Sequence, residues 1–512
     1  MSRATTLTSR TLSGLLWTAW GAGAHAALQL LVLVVLARLL TPAQFGVVSA
    51  ALIVVNFSRI LYQFGFGPAL VQLPRLEPRH VGTAFTASVA FGLALGAVIW
   101  LAAPAAAQAL RIADAGPVLR ALAWMFPLLG LGLVPESLLM RELRFRWLAN
   151  ADVVTFALGY GVVGVALAAM GHGVWALVAA HLAHTVLRTA VVLAAAPPGA
   201  RGPWLDGPAF RELLYFGGGH TIARVANFVA HQGDTLVVGR WLGPAALGLY
   251  GRAYQLMATP ASLFAGVLDK VLFPVMAKMQ ADAGRLASLY TRGVALVALV
   301  VLPPSALLLV LAPEVVTLML GERWAGAVVP LQVFAAGMLF RTSEKMSDSL
   351  ARAVGAIYRR AWRQVLYAVL VVAGAWIGLR WGIVGAACGV LVALAVNFAL
   401  MAHLGLAVVG LGWRPFLLVH LAPLHLAALA GVVAGGVAAW SRAHAAPPAL
   451  PAAAATAAAL AAGGLVAWRW PRRFLGADGL WMLDVLRARL RERRRAPVAP
   501  PLAPARVEAR TP

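Results

Sequence analysis

Apolar runs of about 20 residues follow one another along almost the whole chain, and they restrict its fold more than any other feature. A run of this length crosses a bilayer as a helix, because backbone polar groups in lipid must be bonded within the segment. Of the 512 residues, 61% are hydrophobic and 12% are charged, which is roughly half the charge of a typical soluble domain. The sequence therefore predicts an all-α polytopic membrane protein with about fourteen transmembrane helices.

The formal net charge of +24 has a simple explanation in such a protein. The basic residues concentrate in alternate links between the apolar runs, as expected where positive links stay in the cytoplasm beside anionic lipids. Both termini are therefore predicted to be cytoplasmic; membrane lipids are expected partners and nucleic acid is not. Cys388 is the single cysteine, so no intrachain disulfide can form.

Two short segments show an internal repeat. Residues 37–46 read ARLLTPAQFG, and residues 239–248 read GRWLGPAALG. Each places a proline, Pro42 or Pro244, at the first position of a new helix, where no intrahelical N–H bond is lost. Weaker matches follow in the same order, which predicts two parallel repeats related by an axis along the membrane normal. The expected units are an N-terminal six-helix lobe (1–197), a C-terminal six-helix lobe (198–408), two additional transmembrane helices (409–471) and a basic amphipathic helix with a disordered cytoplasmic tail (472–512).

The seventh predicted span carries a polar stripe. Its members His220, Arg224, Asn227, His231 and Asp234 fall within roughly 80° of one another on a helix. Such a stripe must face a bundle interior or a watery cavity, because lipid cannot solvate it. Arg224 is predicted to bind an anionic head group such as a diphosphate, since a guanidinium binds phosphate through two parallel N–H bonds. The alternative is that Arg224 and Asp234 only pair with neighbouring helices.

Two further cations extend this hypothesis. Arg59 lies near the middle of the second span on one face with Asn56 and Gln63, and Arg252 shares a face of the eighth span with Gln255. A charge at mid-span costs several kcal/mol unless it faces water or a partner, which favours cavity positions. The predicted substrate-binding residues are Arg59, Arg224, Asn227, Asp234 and Arg252.

A second group has candidate roles in coupling or gating. His25 and His231 can titrate near neutral pH, although a lone histidine within a span is more often a hydrogen-bonded helix contact. In the tenth span four charged residues sit at i, i+3, i+4 and i+7, where opposite charges can pair along one helix. They form either a self-neutralised helix end or a gate or ion site. These four residues are Arg341, Glu344, Lys345 and Asp348.

The sequence carries no motif typical of catalysis. A Walker-type phosphate loop, CxxC, HExxH and GxSxG are all missing. No catalytic residue, metal ligand or cofactor is therefore assigned, and coupling to H+ or Na+ stays open.

Several segments resemble a known family. The chain is similar to polysaccharide exporters of the multidrug/oligosaccharidyl-lipid/polysaccharide superfamily, in particular to the lipopolysaccharide, colanic-acid and teichuronic-acid exporter type. The resemblance covers residues from about 10 to about 410. Its motifs are ARLLTPAQFG (37–46), FGFGPALVQ (64–72), DTLVVGRWLGP (234–244), LFP (272–274) and GERW (321–324).

The resemblance implies a V-shaped pair of six-helix lobes, with the first, second, seventh and eighth helices around a central cavity. It implies a transporter, not an enzyme, in the bacterial inner membrane. The implied substrate is an undecaprenyl-diphosphate-linked oligosaccharide, moved from the inner to the outer leaflet by alternating access. Polysaccharide assembly proteins are further candidate partners. The alternatives are a membrane polymerase or ligase of the same pathway, a cation-coupled drug antiporter and a peptidoglycan-precursor flippase.

Overall fold

The computed structural model of the protein describes residues 23–62, 66–197, 205–217, 221–444, 447–482 and 484, and throughout them the regular elements are helices. The helices of the N-terminal half are α1 (Gly23–Leu39), α2 (Pro42–Tyr62), α3 (Phe66–Gln72), α4 (Pro78–Leu110), α5 (Ala115–Ala123), α6 (Met125–Arg141), α7 (Phe145–Phe156), α8 (Val165–Ala169) and α9 (Val174–Ala195). A π-helical segment, Ala157–Gly164, joins α7 to α8.

The second half begins with α10 (Gly207–Gly217) and the long α11 (Thr221–Lys278). Two short 3-10 segments, Glu322–Ala327 and Leu379–Trp381, interrupt the helices that follow. Those helices are α12 (Ala283–Val310), α13 (Ala312–Met319), α14 (Val328–Ala336), α15 (Met338–Ala353), α16 (Ile357–Gly378), α17 (Gly382–Val409), α18 (Trp413–Leu418), α19 (Leu421–Ala443), α20 (Ala449–Arg469) and α21 (Pro471–Phe474).

Ten helical stretches of the described chain are long and apolar enough to cross a membrane. One of them, Ile357–Val409, contains α16 and α17 with the turn between them. The chain is thus a multi-pass helical membrane protein.

The break in α11 falls where the repeated segment predicts it. Gly243 has φ 84° and ψ −179°, a conformation that only glycine adopts without strain, and Pro244 follows it. α11 is therefore two arms, residues 221–242 and 244–278. The first copy of the repeat behaves alike, because α2 begins at Pro42.

The two copies of the repeat pack against each other reciprocally. A Cβ atom on Gly46 would lie 1.7 Å from the carbonyl oxygen of Pro244, and one on Gly248 would lie 1.9 Å from the carbonyl oxygen of Pro42. The buried Trp324 completes this contact by donating its indole N–H to the Ala37 carbonyl at 2.9 Å. We call the contact among Pro42, Gly46, Pro244, Gly248 and Trp324 the closed end of the molecule.

The last two long helices pack beside the second half through alanine. The α19–α20 interface buries Ala430, Ala434, Ala438, Ala455 and Ala459, and such small residues let helices in lipid approach closely.

The helical segment that follows reaches back to α12. Asp478 lies 3.8 Å from Arg292, whose guanidinium stacks 4.6 Å above the Trp481 ring. The structure describes the predicted amphipathic helix only as far as Met482 and at Asp484, and the other residues of this segment lie outside the described residues.

Candidate functional site: a charged cavity in the N-terminal half

A cavity of about 790 Å³ opens among the helices of the N-terminal half. α1 contributes His25 and Gln29 to its wall, and α2 contributes Arg59 and Tyr62. The remaining wall comes from α3, α6, α7 with its π-helical segment, and α9. Charged residues line this cavity, which is consistent with a water-filled chamber, because lipid cannot solvate them.

An ion-pair network crosses this cavity. Arg188 of α9 donates from Nη1 and Nη2 to the two carboxylate oxygens of Glu136 at 2.8 and 2.9 Å, and from Nε to Asp152 at 3.0 Å. The other oxygen of Asp152 lies 3.6 Å from Nδ1 of His25. The two parallel bonds from Arg188 to Glu136 are bidentate, which is among the strongest geometries that a guanidinium and a carboxylate form. The network therefore ties α9 to α6 and α7.

Arg59 lines the same cavity without joining that network. It is half-buried and forms no ion pair with any residue that the structure describes. Both nearby carboxylates, Glu136 and Asp152, are held by Arg188. The guanidinium of Arg59 is thus available to an anion that enters the cavity.

Asp234 is placed differently from Arg59. Only 3% of it is exposed. Its carboxylate accepts the Tyr250 O–H at 2.7 Å, the Thr235 backbone N–H at 2.7 Å and the Thr235 hydroxyl at 3.2 Å. Because Tyr250 belongs to the second arm of α11, its bond to Asp234 joins the two arms across Gly243. Asp234 does not line the 790 Å³ cavity, and its substrate-binding role stays a prediction.

Arg252 lies between the two halves. Its guanidinium stacks 4.7 Å from the ring centre of Phe45 of α2 and donates to the side chain of Gln255. Its Nε is buried with no hydrogen-bond partner among the described residues. This position is next to the closed end, outside the 790 Å³ cavity.

The remaining residues of the polar stripe on α11 are only partly described. The ring Nδ1 of His231 bonds the Asn227 carbonyl oxygen one turn earlier at 2.9 Å, a contact within the helix. Asn227 itself is exposed. The side chain of Arg224 and all of His220 lie outside the described residues, so the role of Arg224 stays a prediction.

The four charged residues of α15 pair differently from the expected pattern along one helix. Lys345 contacts its neighbour Glu344 at 3.2 Å, and Glu344 also accepts from Asn397 of α17. Arg341 stacks 4.9 Å from the ring centre of Tyr254.

Asp348, the last of the four, pairs with Arg352 at 3.2 Å and with Arg360 of α16. Arg360 lies on a neighbouring helix, so the spacing of charges along α15 does not predict this pair. Both gating and structural roles of the four stay predictions.

Most of the network was not predicted from the sequence. Glu136, Asp152 and Arg188 were not among the predicted site residues. Their signal was present, since each is a charge inside or beside a predicted span. Which charge meets which could not be read from spacing, because Arg188 lies on a different helix from both carboxylates. Among the described residues no group of three His, Cys, Asp or Glu could hold a metal ion.

Fold and cavity together define a class: a multi-pass helical membrane protein with a charged chamber between helices. Residues 35–329 match the family described as "Polysaccharide biosynthesis protein", and the chain belongs to that family. The resemblance of the sequence motifs is thereby confirmed.

Named relatives come from several bacteria. The chain is 29% identical to the succinoglycan biosynthesis transport protein ExoT of Rhizobium meliloti over 307 residues. This match covers 60% of this chain and 62% of ExoT. It is 25% identical to the teichuronic acid biosynthesis protein TuaB of Bacillus subtilis, over 68% of this chain and 72% of TuaB. With the lipopolysaccharide biosynthesis protein WzxC of Escherichia coli the identity is 23%, over 82% and 86%.

Solved structures share the fold at low identity. The lipid II flippase MurJ in an inward closed conformation superposes with a TM-score of 0.69 at 13% identity, over 81% of this chain and 92% of MurJ. An outward-facing multidrug resistance transporter of the MATE family and MOP superfamily gives 0.51 at 16% identity, over 78% and 95%. The chain therefore has the helical fold of these transporters.

Proposed function

We propose that this protein is a flippase that moves polyprenyl-diphosphate-linked oligosaccharide repeat units across the bacterial inner membrane. The relatives named for succinoglycan transport and for teichuronic acid and lipopolysaccharide biosynthesis support this class of substrate. In this proposal the diphosphate and sugars enter the cavity while the polyprenyl tail stays in the lipid.

The proposal rests mainly on the surroundings of the Arg59 guanidinium. It faces a chamber of about 790 Å³ and has no carboxylate partner among the described residues. Holding a charge there is costly unless water or an anion compensates it, and a diphosphate offers oxygens in the geometry that a guanidinium prefers. Arg188, bound to Glu136 and Asp152, lines the same chamber and can exchange partners with an incoming phosphate.

Alternating access agrees with the packing of the two repeats. Contacts that run from Pro42 to Gly248 and from Gly46 to Pro244 are what a pseudo-two-fold axis between two parallel lobes produces. They close one end while the cavity lies in the N-terminal half. Separating α16 from α17 turns the ten stretches into eleven, and the two arms of α11 together with α1 bring the total to fourteen, which supports two lobes of six spans with two additional helices.

The proposal also includes the orientation and the energy source. Both termini lie in the cytoplasm, as the distribution of basic links predicts. A gradient of H+ or Na+ drives transport. Imposing one gradient at a time on proteoliposomes that contain the protein identifies the ion.

The direct test is a gene deletion with leaflet-resolved measurement of the lipid-linked oligosaccharide. Loss of surface polysaccharide with the intermediate trapped in the inner leaflet is the expected result. Accumulation in the outer leaflet would instead assign the step to a polymerase or ligase and overturn the proposal.

Complementation of the deletion strain then tests the cavity. Arg59→Ala is expected to lower export at least about tenfold at unchanged protein level, and Arg224→Ala is predicted to act alike. Arg120→Ala is the matched control, because Arg120 is exposed and stacks over Trp100 at 4.9 Å, outside the chamber. Equal export by the Arg59→Ala and Arg120→Ala strains would contradict the assigned role.

A further inference from the structure

Aromatic and imidazole side chains form one side of the cavity. Phe156 and Tyr160 stack with their centroids 4.7 Å apart and an angle of 20° between their planes. His184 meets Phe156 edge-on at 5.8 Å, and the Tyr160 hydroxyl is hydrogen-bonded to Nδ1 of His181. All four residues line the chamber. We call Phe156, Tyr160, His181 and His184 the aromatic wall.

The local backbone explains how this wall forms. Tyr160 belongs to the π-helical segment Ala157–Gly164, a departure from α-helix that is frequent at functional sites. The neighbouring Gly159 lets α9 approach, since a Cβ atom there would lie 2.7 Å from the backbone nitrogen of His184. The close approach sets His181 and His184, on successive turns of α9, beside the Tyr160 ring. Packing alone would not require two histidines and a tyrosine in this place.

The wall has unused hydrogen-bonding capacity. Nε2 of His184 is buried and has no hydrogen-bond partner among the described residues. A buried polar atom without a partner costs about 1–3 kcal/mol, so a ligand group that bonds it gains that energy. Tyr160 remains half-buried on the cavity surface, where its ring can meet a ligand.

The wall lies next to the charged network. His25 joins the two, because its ring packs edge-on against Phe156 at 4.7 Å and its Nδ1 lies 3.6 Å from Asp152. Asp152 in turn is bound by Arg188. A ligand that fits both parts has an anionic group for Arg59 and Arg188 and, beside it, a group with apolar C–H faces and several hydroxyls. A sugar joined to a diphosphate has this composition.

We propose that the aromatic wall binds the sugar residue attached directly to the diphosphate. This inference rests on the proposed function and adds a specificity site to it. The face of an aromatic ring carries partial negative charge and attracts the polarised C–H groups of a pyranose. The imidazoles and the Tyr160 hydroxyl exchange hydrogen bonds with its hydroxyls. A site built to bond hydroxyls rejects ligands that lack them, because its buried polar atoms are then left unpaired.

The test compares two kinds of ligand on the purified full-length protein in detergent. One is farnesyl diphosphate, and the other is farnesyl diphosphate carrying glucose, galactose or N-acetylglucosamine. At least one sugar-bearing ligand is expected to bind more tightly than farnesyl diphosphate. Tyr160→Leu and His184→Leu are expected to weaken that ligand about tenfold and to change the affinity for farnesyl diphosphate less than about twofold.

Two controls separate the sugar site from the diphosphate site and from folding. Arg59→Ala is expected to weaken both kinds of ligand. Phe416→Leu removes a ring that stacks on Tyr290 at 6.3 Å outside the cavity, and it is expected to change neither. If Tyr160→Leu does not fold, Tyr160→Phe keeps the ring and is expected to weaken only the sugar-bearing ligand, about threefold.

The outcomes are distinguishable. If the wild-type protein binds neither kind of ligand, the proposed function itself is overturned. If it binds farnesyl diphosphate, but no sugar improves the affinity or the wall variants weaken both ligands equally, the sugar site is overturned while the diphosphate site stands.

Discussion

Gly46 and Pro244 touch backbone to backbone where the two repeats meet, and a Cβ atom on Gly46 would lie 1.7 Å from the Pro244 carbonyl oxygen. The counterpart pair, Gly248 and Pro42, has the same relationship at 1.9 Å. Both glycines lie within helices and have ordinary helical backbone angles. Glycine is therefore required at these positions by lack of space and not by backbone conformation. The closed end therefore depends on the absence of two side chains.

Gly46→Ala and Gly248→Ala are each predicted to loosen the closed end. Real Cβ atoms essentially never approach other heavy atoms closer than 3.0 Å, so the backbones must separate by ~1 Å. The cost is about 1–3 kcal/mol, as for other overpacked contacts. The measurement is maleimide labelling of Ala50→Cys, a fully buried position, in a Cys388→Ser chain. Faster labelling in either alanine variant is the expected result.

Gly251→Ala is the matched control for this experiment. Gly251 lies in the same arm of α11 as Gly248, but a Cβ atom there would meet nothing within 4 Å. Labelling should stay at the parental rate. An identical rate in the Gly46→Ala and Gly251→Ala proteins would refute the tight contact.

Removing Arg188 should destabilise the protein through the two carboxylates that it holds. Arg188→Ala removes the guanidinium that bonds Glu136 and Asp152 and leaves both carboxylates without that partner, at a cost of about 1–3 kcal/mol. Neutralising one carboxylate as well, with Arg188→Ala plus Glu136→Gln, should restore part of the loss. Thermal unfolding in detergent measures both. A double variant no more stable than Arg188→Ala would show that the ion pairs do not set the stability.

Arg188→Lys offers a sharper comparison. Lysine keeps the charge but lacks the planar fork that bonds Glu136 through two N–H groups and Asp152 through a third. We expect Arg188→Lys to fall between the wild type and Arg188→Ala in unfolding temperature. Stability equal to the wild type would mean that charge alone, and not the bidentate geometry, matters.

Tyr250→Phe tests whether Asp234 joins the arms of α11. The variant removes the O–H that Asp234 accepts at 2.7 Å within the protein interior, and leaving a buried acceptor without its partner costs about 1–3 kcal/mol. We expect a lower unfolding temperature from Tyr250→Phe and a smaller loss from Thr235→Ser, which keeps its hydroxyl. Unchanged stability of Tyr250→Phe would contradict the structural role. Reduced ligand affinity at normal stability would support the predicted substrate role.

Glu314 of α13, outside the ten candidate spans, gives the protein a pH-dependent contact. Burial by itself raises the pKa of its carboxyl, but the hydrogen bonds from Arg442 at 2.6 and 2.8 Å, a bond from the Glu314 backbone and the charge of Arg442 together outweigh burial and hold the pKa below its ordinary value. Since the folded pKa is lowered, the stabilisation is present above about pH 4.3 and is lost as the pH falls through the folded pKa.

Arg442→Gln is therefore predicted to lower the unfolding temperature at pH 7 and to have less effect below about pH 4. The loss should be about 1 kcal/mol, because Arg442 is 45% exposed and solvent screens the pair. Glu314→Gln is the control, and it should remove the same pH dependence. A stability difference that is constant from pH 7 to pH 4 would rule out the contact as its source.

The properties that could be predicted from the sequence depend on local and periodic features. Runs of apolar residues set the membrane class, because their length has to match the bilayer. Pro42 and the Gly243–Pro244 pair fixed two helix starts through backbone chemistry that acts within a few residues. Arg59 was predicted to be a cavity residue because it was expected near the middle of its span; the structure places it in the last turn of α2, where it lines the cavity.

Only the tertiary structure decided which charges meet. Arg188 bonds Glu136 and Asp152 across 52 and 36 residues of chain, and no spacing rule ranks such pairs above others. Asp234 looked as available as Arg59, yet Tyr250 and Thr235 occupy its carboxylate. The partner of a buried charge is chosen by how helices pack, and that choice depends on side-chain reach and backbone clearance at every contact between them.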